Sequence, residues 1–511
     1  MAIKVILLIA FFAVMVTVGV LSRKSAGSVD GFVLGGRNVG PWLTAFAYGT
    51  SYFSAVVFVG YAGQFGWKYG IATTWVGIGN AVLGSLMAWI ILGRRTRIMT
   101  HHLTAATMPD FFGKRFDSNA LRIAASAICF IFLIPYTASL YNGLSRLFGM
   151  AFDIPYTACV IMMATLTGVY VILGGYMATA INDFIQGIIM IFGIIAVILA
   201  VLNSQGGFMA AVGKLAEIPS DIPITQGQPG AFTSFFGPDP VNLLGVIVLT
   251  SLGTWGLPQM VHKFYTIRNE KAVKTGTVIS TVFAIIIAGG CYFLGGFGRL
   301  FDNPSIYTEK GIAYDAIIPS MLSTLPDILI GVVVILVLSA SMSTLSSLVL
   351  TSSSTLTLDF IKGNIVKDLN EKKQLLIMRI LIVFFIVISV VLALNPPTFI
   401  AQLMGISWGA LAGAFLAPFL YGLFWKKTTK AAVWASFIVG VGITVLNMFI
   451  KFIASPINAG AAAMIAGLIV VPVVSLITPS QDKQAVDRIF SCYDEEVHVK
   501  RKTALPEDEE E

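Results

Sequence analysis

Apolar runs long enough to cross a bilayer recur along the whole chain. Thirteen are read, at approximately 3–22, 41–66, 71–93, 119–150, 154–174, 183–203, 241–261, 275–298, 327–360, 374–394, 398–425, 431–452 and 460–478. A helix needs about 20 apolar residues to span a hydrocarbon core of roughly 30 Å. The fourth and ninth segments are longer, and are expected to tilt or to continue past the membrane. The first is followed by Ser22-Arg23-Lys24 and lacks a small-residue cleavage site, so it reads as a retained helix rather than a signal peptide.

Composition fixes the class. Of 511 residues, 56% are hydrophobic and only 12% charged, against roughly 25% charged in soluble domains. A soluble fold of this length could not cover its surface with polar groups. Most of the 49 glycines lie inside the apolar runs, where membrane helices use small residues for close packing and for breaks. Cys129, Cys159, Cys291 and Cys492 show no metal-ligand spacing and read as buried thiols. No catalytic triad, phosphate loop or zinc cluster supports an enzyme.

The net charge of +7 is sorted by loop rather than gathered on one face, which argues for topology and against nucleic-acid binding. The first segment is followed by Arg23, Lys24 and Arg37, and the third by Arg94, Arg95, Arg97, Lys114 and Arg115. Lys263, Arg268, Lys271 and Lys274 follow the seventh, Lys362, Lys367, Lys372 and Lys373 the ninth, and Lys426, Lys427 and Lys430 the eleventh. Loops after even-numbered segments are poor in Lys and Arg, including 204–240 with Lys214 alone. The positive-inside rule therefore places the N-terminus outside and the C-terminus inside, in agreement with an odd segment count. The tail from Ser480, ending in the acidic run Glu507–Glu511, is expected to be cytoplasmic.

Two segments are interrupted. The second reads Gly49-Thr50-Ser51-Tyr52-Phe53-Ser54 and the seventh Thr250-Ser251-Leu252-Gly253-Thr254-Trp255-Gly256-Leu257-Pro258. A helix interior disfavours Gly by about 1 kcal/mol and Pro by about 3 kcal/mol, and backbone groups freed in lipid must find partners in protein or a watery cavity. Either interruption alone is explained by Gly-mediated packing or a proline kink. Each, however, opens a block of five segments (two to six, seven to eleven), and an odd block inserts its successor from the opposite side. Paired interruptions in an inverted repeat are the sequence pointer to a transporter's central site.

Inside the ninth segment lies Ala340-Ser341-Met342-Ser343-Thr344-Leu345-Ser346-Ser347. Its hydroxyls could bond to their own helix, or join carbonyls freed near Thr50 and Phe53 in a neutral oxygen site for a small hard cation. Asp183 opens the sixth segment, where it could favour the helix N-terminus or serve as an ion relay.

Together Leu34-Gly35-Gly36-Arg37, Gly49-Thr50-Ser51, Gly174-Gly175-Tyr176 with Asp183 and Gln186, Gly256-Leu257-Pro258, and Met342-Ser343-Thr344-Leu345-Ser346 resemble the sodium/solute symporter family. The resemblance covers nearly the whole chain. It implies a LeuT-type five-plus-five inverted repeat with one preceding and two following helices: 1–40 first helix and loop, 41–203 first repeat, 204–240 extracellular loop, 241–425 second repeat, 426–479 two C-terminal helices, 480–511 tail. It implies a sodium site at the carbonyls of Thr50, Phe53 and Ala340 and the hydroxyls of Ser343 and Thr344, with Asp183 near the sodium exit. Substrate would contact Ser51, Tyr52, Ser54, Thr254 and Trp255, and Tyr136 matches a substrate-contacting tyrosine of the proline members. The pieces at Leu34–Arg37 and Ser343–Ser346 are similar to those of proline transporters. Those carry an aspartate in place of Tyr52 and aromatic residues in place of Thr250 and Thr254. Tyr52 to Ser54 and Gly256 to Pro258 look closer to the pantothenate members.

The resulting expectation is a plasma-membrane symporter that carries sodium with a small organic solute, a carboxylate before a sugar, by alternating access. Proton coupling through Asp183, or a solute sensor on the same fold, is the alternative.

Overall fold

The computed structural model describes residues 2–494 except 153–154, 310, 363, 367–368 and 396–399, so Lys367 and the acidic run 507–511 lie outside the described residues. Among the described residues ten helices are long and apolar enough to cross a membrane, and a bent pair, Pro240–Gly256 and Pro258–Thr266, makes an eleventh with a 44° angle between its halves. Two of the ten, Val56–His102 (47 residues) and Tyr156–Ser204 (49 residues), exceed any single crossing: at about 1.5 Å per residue each would reach roughly 70 Å. Both turn at a glycine with positive φ, Gly70 (φ 60°, ψ −143°) and Gly175 (φ 55°, ψ −145°). Only glycine enters that region without strain. A Cβ on Gly70 would also lie 2.1 Å from the Phe232 carbonyl oxygen. These turns fall where the apolar pattern separates the second segment from the third and the fifth from the sixth.

The most deeply enclosed helices are Asp327–Thr355 and Ile400–Phe424, the ninth and eleventh segments. Peripheral helices such as Glu371–Leu394 and Lys430–Ile450 turn Val387, Val391, Ile438 and Leu446 outward, as lipid-facing surface requires. The helices are not all regular. Wide, π-type turns occupy Val56–Tyr61, Asn80–Met87 and Ile285–Gly289. The 204–240 loop contains a helix, Phe208–Glu217, anchored by Ala211 and Leu215. A two-residue strand pair, Tyr307–Thr308 with Gly311–Ile312, interrupts the otherwise helical architecture.

Polar contacts sort the loops onto two faces. On one, the Val39 amide bonds to the Thr266 carbonyl (3.1 Å), Arg37 to that of Ala105 (2.7 Å) and Arg97 to that of Arg268 (2.6 Å). Lys430 reaches the Asp117 carbonyl at 2.7 Å and Lys426 pairs with Asp487 at 2.7 Å. These residues follow the first, third, seventh and eleventh segments, so the basic loops share a face. On the other, Arg299 bonds to Asp221 and to the Trp67 carbonyl, both at 2.6 Å, and Trp75 to the Phe235 carbonyl at 2.9 Å. The start of the second segment and the end of the seventh meet on the basic face. The two interrupted segments therefore run in opposite directions.

Arg115, read as a loop charge, is fully buried on that face. Its guanidinium bonds to the Gly422 carbonyl (3.0 Å), the Trp425 carbonyl (3.4 Å) and the Gln481 side chain (2.9 Å), between the rings of Phe116 and Phe490. Burial pushes it down from its usual value to about 10, so it stays charged at neutral pH. Replacing Arg115 with methionine leaves these acceptors unpaired and is expected to cost about 3 kcal/mol, read as a lower thermal midpoint in detergent.

Candidate functional site

The break in the second segment exposes backbone. Helix Pro41–Tyr52 ends at Phe53 (φ −86°, ψ 109°), whose amide makes the closing bond to the Gly49 carbonyl at 3.1 Å. The Thr50 carbonyl, next in line, has lost its helical donor because Ser54 is out of the helix. It accepts instead from across the bundle: the Ser343 hydroxyl lies 3.2 Å away and the Thr344 hydroxyl 2.9 Å. Each hydroxyl also lies 3.1 Å from the Ala340 carbonyl, and that of Ser343 is 2.9 Å from the Ser339 carbonyl.

A hydroxyl has one proton to give. Helix N–H groups also reach the Ser339 and Ala340 carbonyls, yet with two hydroxyl protons the five neutral oxygens of Thr50, Ala340, Ser339, Ser343 and Thr344 keep more lone pairs than there are protons to fill them. All of these residues are buried. An acceptor-rich cage of neutral oxygens suits a small hard cation. Bonds within the ninth helix account for only part of this geometry, since the reach to Thr50 joins two segments almost 300 positions apart in sequence. Tyr170 fixes the level of the ninth helix by donating to the Met342 carbonyl at 2.8 Å. Phe53 stands at the break itself, its ring against Tyr52 (4.3 Å between centroids) and Phe283 (6.1 Å).

Asp183 does not cap a helix. The helix restarts at Tyr176 after the Gly175 turn rather than at 183, which places Asp183 two turns inside it and fully buried. Neither carboxylate oxygen has a hydrogen bond, and the nearby charge is the Lys263 ammonium, 3.8 Å from Oδ2. Lys263, which the apolar pattern assigns to the loop after the seventh segment, lies inside a helix instead. The helix that restarts at Pro258 runs on to Thr266 and buries it; Arg268, Lys271 and Lys274 keep that loop basic. Its ammonium donates to the Ser347 hydroxyl at 3.0 Å, which lies 2.9 Å from that of Ser51.

The residues named as substrate contacts divide. Tyr52 and Tyr136 converge on Trp408 of the eleventh segment, with centroid distances of 5.4 and 5.9 Å, and Ser54 lies close to the Tyr136 hydroxyl. Ser51 instead faces Ser347. The Thr254 hydroxyl lies 2.9 Å from both the Gly84 and the Ser251 carbonyls, and the Trp255 indole donates to that of Leu83 at 2.9 Å, so these two tie the seventh segment to the third. Trp408 and Tyr292, absent from the sequence reading, join the aromatic group, Tyr292 with its hydroxyl close to those of Tyr52 and Asn80's amide. The hydroxyls of Tyr52, Tyr136 and Tyr292, the Trp408 indole and the Asn80 Nδ2 gather here, buried and close to one another but without a well-formed hydrogen bond. On the loop face opposite the basic one, a cavity of about 480 Å³ is bordered by Lys68, Asp239, Asn242, Arg299, Tyr314 and Asn458.

Residues 32–440 match the model of the sodium:solute symporter family. The osmoregulated proline transporter OpuE of Bacillus subtilis is 28% identical over 92% of this chain and 95% of its own. A sodium/proline symporter of Staphylococcus aureus is 27% identical over 94% and 93%. Among solved structures, a Na+-coupled sialic acid symporter superposes with a TM-score of 0.75 at 16% identity, covering 94% of this chain and 98% of its own. Mhp1, a nucleobase-cation-symport-1 family transporter, gives 0.51 at 12% identity over 90% and 98%. These two share the LeuT-type fold, and at such identities they bear on fold alone. The match over most of the chain makes it a multi-pass membrane transporter, not an enzyme, and a member of the sodium:solute symporter family.

Proposed function

We propose that the protein takes up a small amino acid of the proline type, or a similar small carboxylate, across the plasma membrane together with sodium. The observation that carries this reading is the acceptor-rich cluster of Thr50, Ala340, Ser343 and Thr344 at the break in the second segment. Sodium bound there, with the Phe53 carbonyl as a further ligand, would tie the broken segment to the ninth helix. Coupling follows if that tie favours the outward-open state, because a ligand shifts an equilibrium only through its differential affinity for the two states. We assign the basic face to the cytoplasm, which gives thirteen crossings with the N-terminus outside and the repeats at 41–203 and 241–425.

The substrate class follows from the donors around Tyr52. Neutral O–H and N–H groups of Tyr52, Tyr136, Tyr292, Trp408 and Asn80 can satisfy a carboxylate while an aliphatic body packs on the rings. Relatives named for proline agree with that size and charge. Thr250 and Thr254 keep their hydroxyls on the backbone carbonyls of Val246 and Gly84, which leaves recognition to the rings and Tyr52. Sodium is preferred to a proton as the driving ion because Asp183 is already faced by the Lys263 ammonium.

A thermal-shift screen of amino acids and small carboxylates, each in sodium and in potassium, tests the assignment. The expected result is stabilisation by proline or a near relative that requires sodium; equal stabilisation in potassium contradicts it. Tyr52→Phe removes one donor and should weaken substrate binding about tenfold, measured by titration of the same shift.

A further inference from the structure

The Lys263 ammonium is buried against three neighbours on two other helices. It faces the Asp183 carboxylate at 3.8 Å, donates to Ser347 at 3.0 Å and lies 5.2 Å from the centre of the Tyr176 ring. Ser347 is one helical turn from Ser343 and Thr344, on the side of the basic face. Through Ser347 the ammonium connects to Ser51, the residue after the Thr50 carbonyl. The carboxylate, meanwhile, has no hydrogen bond of its own. A charge pair this loose, with one partner shared by a hydroxyl, leaves Asp183 room to receive another cation.

We propose that Lys263 is a tethered cation that keeps sodium's cytoplasmic exit closed: its ammonium and a sodium ion compete for the carboxylate of Asp183. The proposal rests on the sodium site described above and adds a positioning residue to it. While Lys263 pairs with Asp183, the restarted half of the seventh segment is held to the sixth and ninth helices, and the path past Ser347 carries a positive charge. Sodium leaving the Thr50–Thr344 cluster meets that charge in a buried, weakly screened setting. Release then requires the Lys263–Asp183 pair to part, which frees the seventh segment from the ninth. Exit of the ion and opening of the cytoplasmic side become one event, as coupled transport demands.

Charge arithmetic separates this role from a packing role. Lys263→Gln removes a competing cation beside an intact carboxylate, so the sodium concentration for half-maximal uptake should fall about five- to tenfold, with a lower maximal rate. Asp183→Asn leaves the ammonium unopposed, and half-saturation should rise by a similar factor. The double variant removes both charges and should return half-saturation to within about twofold of the parent. Lys263→Arg, which keeps the charge, should behave nearly as the parent. The measurement is the sodium dependence of initial uptake by purified full-length protein in liposomes. An unchanged half-saturation in Lys263→Gln, or a double variant no better than Asp183→Asn, overturns the proposal. Should Lys263→Gln fail to fold, the comparison of Asp183→Asn with the double variant decides alone. Failure of the sodium reading itself looks different: uptake by the parent protein would then not depend on sodium at all.

Discussion

Replacing Ser343 and Thr344 together by alanine should abolish sodium-driven uptake while leaving a folded protein. Both hydroxyls lie within 3.2 Å of the Thr50 carbonyl. Each lost polar contact to a charged partner costs about 1.5–3 kcal/mol. Two together should therefore weaken sodium binding by at least about 100-fold. The ninth helix should tolerate the change, since alanine has the best helix propensity and the hydroxyls' other bonds run to their own helix. A sodium titration of initial uptake, beside a thermal midpoint in sodium-free buffer, checks both halves. The expected outcome is a lost sodium response with the midpoint held; a normal sodium response contradicts the ligand assignment.

The second large effect is expected at Gly66. Here the second segment, past its break, crosses the eighth with backbones in contact. A Cβ on Gly66 would stand 1.9 Å from the Gly295 carbonyl oxygen, and one on Gly295 2.2 Å from that of Ala62. Membrane helices approach this closely only through small residues. Neither obstacle is the end of a flexible side chain, so the helices themselves must part. Gly66→Ala should destabilise by about 3 kcal/mol or more, the upper end of overpacking costs. Gly442→Ala is the control: its Cβ would meet nothing within 4 Å, so its helix gains only propensity. Thermal midpoints and the yield of monodisperse protein in detergent provide the readout. Equal stability of Gly66→Ala and the parent would refute the close crossing.

The fold was legible where local rules apply. Bilayer thickness sets the length of apolar runs, loop charge sets their alternation, and the Gly-rich turns at Gly70 and Gly175 divide runs that hydropathy alone would merge. The break at Thr50 was also readable, because glycine and hydroxyl residues interrupt an apolar run, and the hydroxyl pair because it places polar oxygens inside lipid. Asp183 was singled out, but its burial and its pairing with Lys263 were not legible. Their segment ends were drawn by hydropathy, which stopped the seventh at 261 and began the sixth at 183, whereas the helices reach Thr266 and Tyr176. A signal was present in Pro258, which restarts a helix and carries Lys263 into the protein with it. Arg115 was missed for the same reason: a basic residue beside an apolar run looks solvated until its acceptors are known. Trp408 and Tyr292 carried no signal, since one aromatic residue in an apolar helix is ordinary. Only the crossing of the eleventh and second segments brings Trp408 to Tyr52. The division of hydroxyls between backbone and pocket, which removes Thr254 and Ser51 from the ring cluster, likewise depends on which helices touch.

The central claim is that an inward sodium gradient drives solute uptake through the cluster at Thr50, Ser343 and Thr344. Its most direct test is accumulation of radiolabelled L-proline, or of the solute found by the thermal-shift screen, in liposomes holding the purified protein. Under an imposed sodium gradient the solute should accumulate above the outside concentration, and this should be lost when potassium replaces sodium and in the Ser343→Ala, Thr344→Ala double variant. Accumulation that persists without sodium, or that a pH gradient alone sustains, would contradict it.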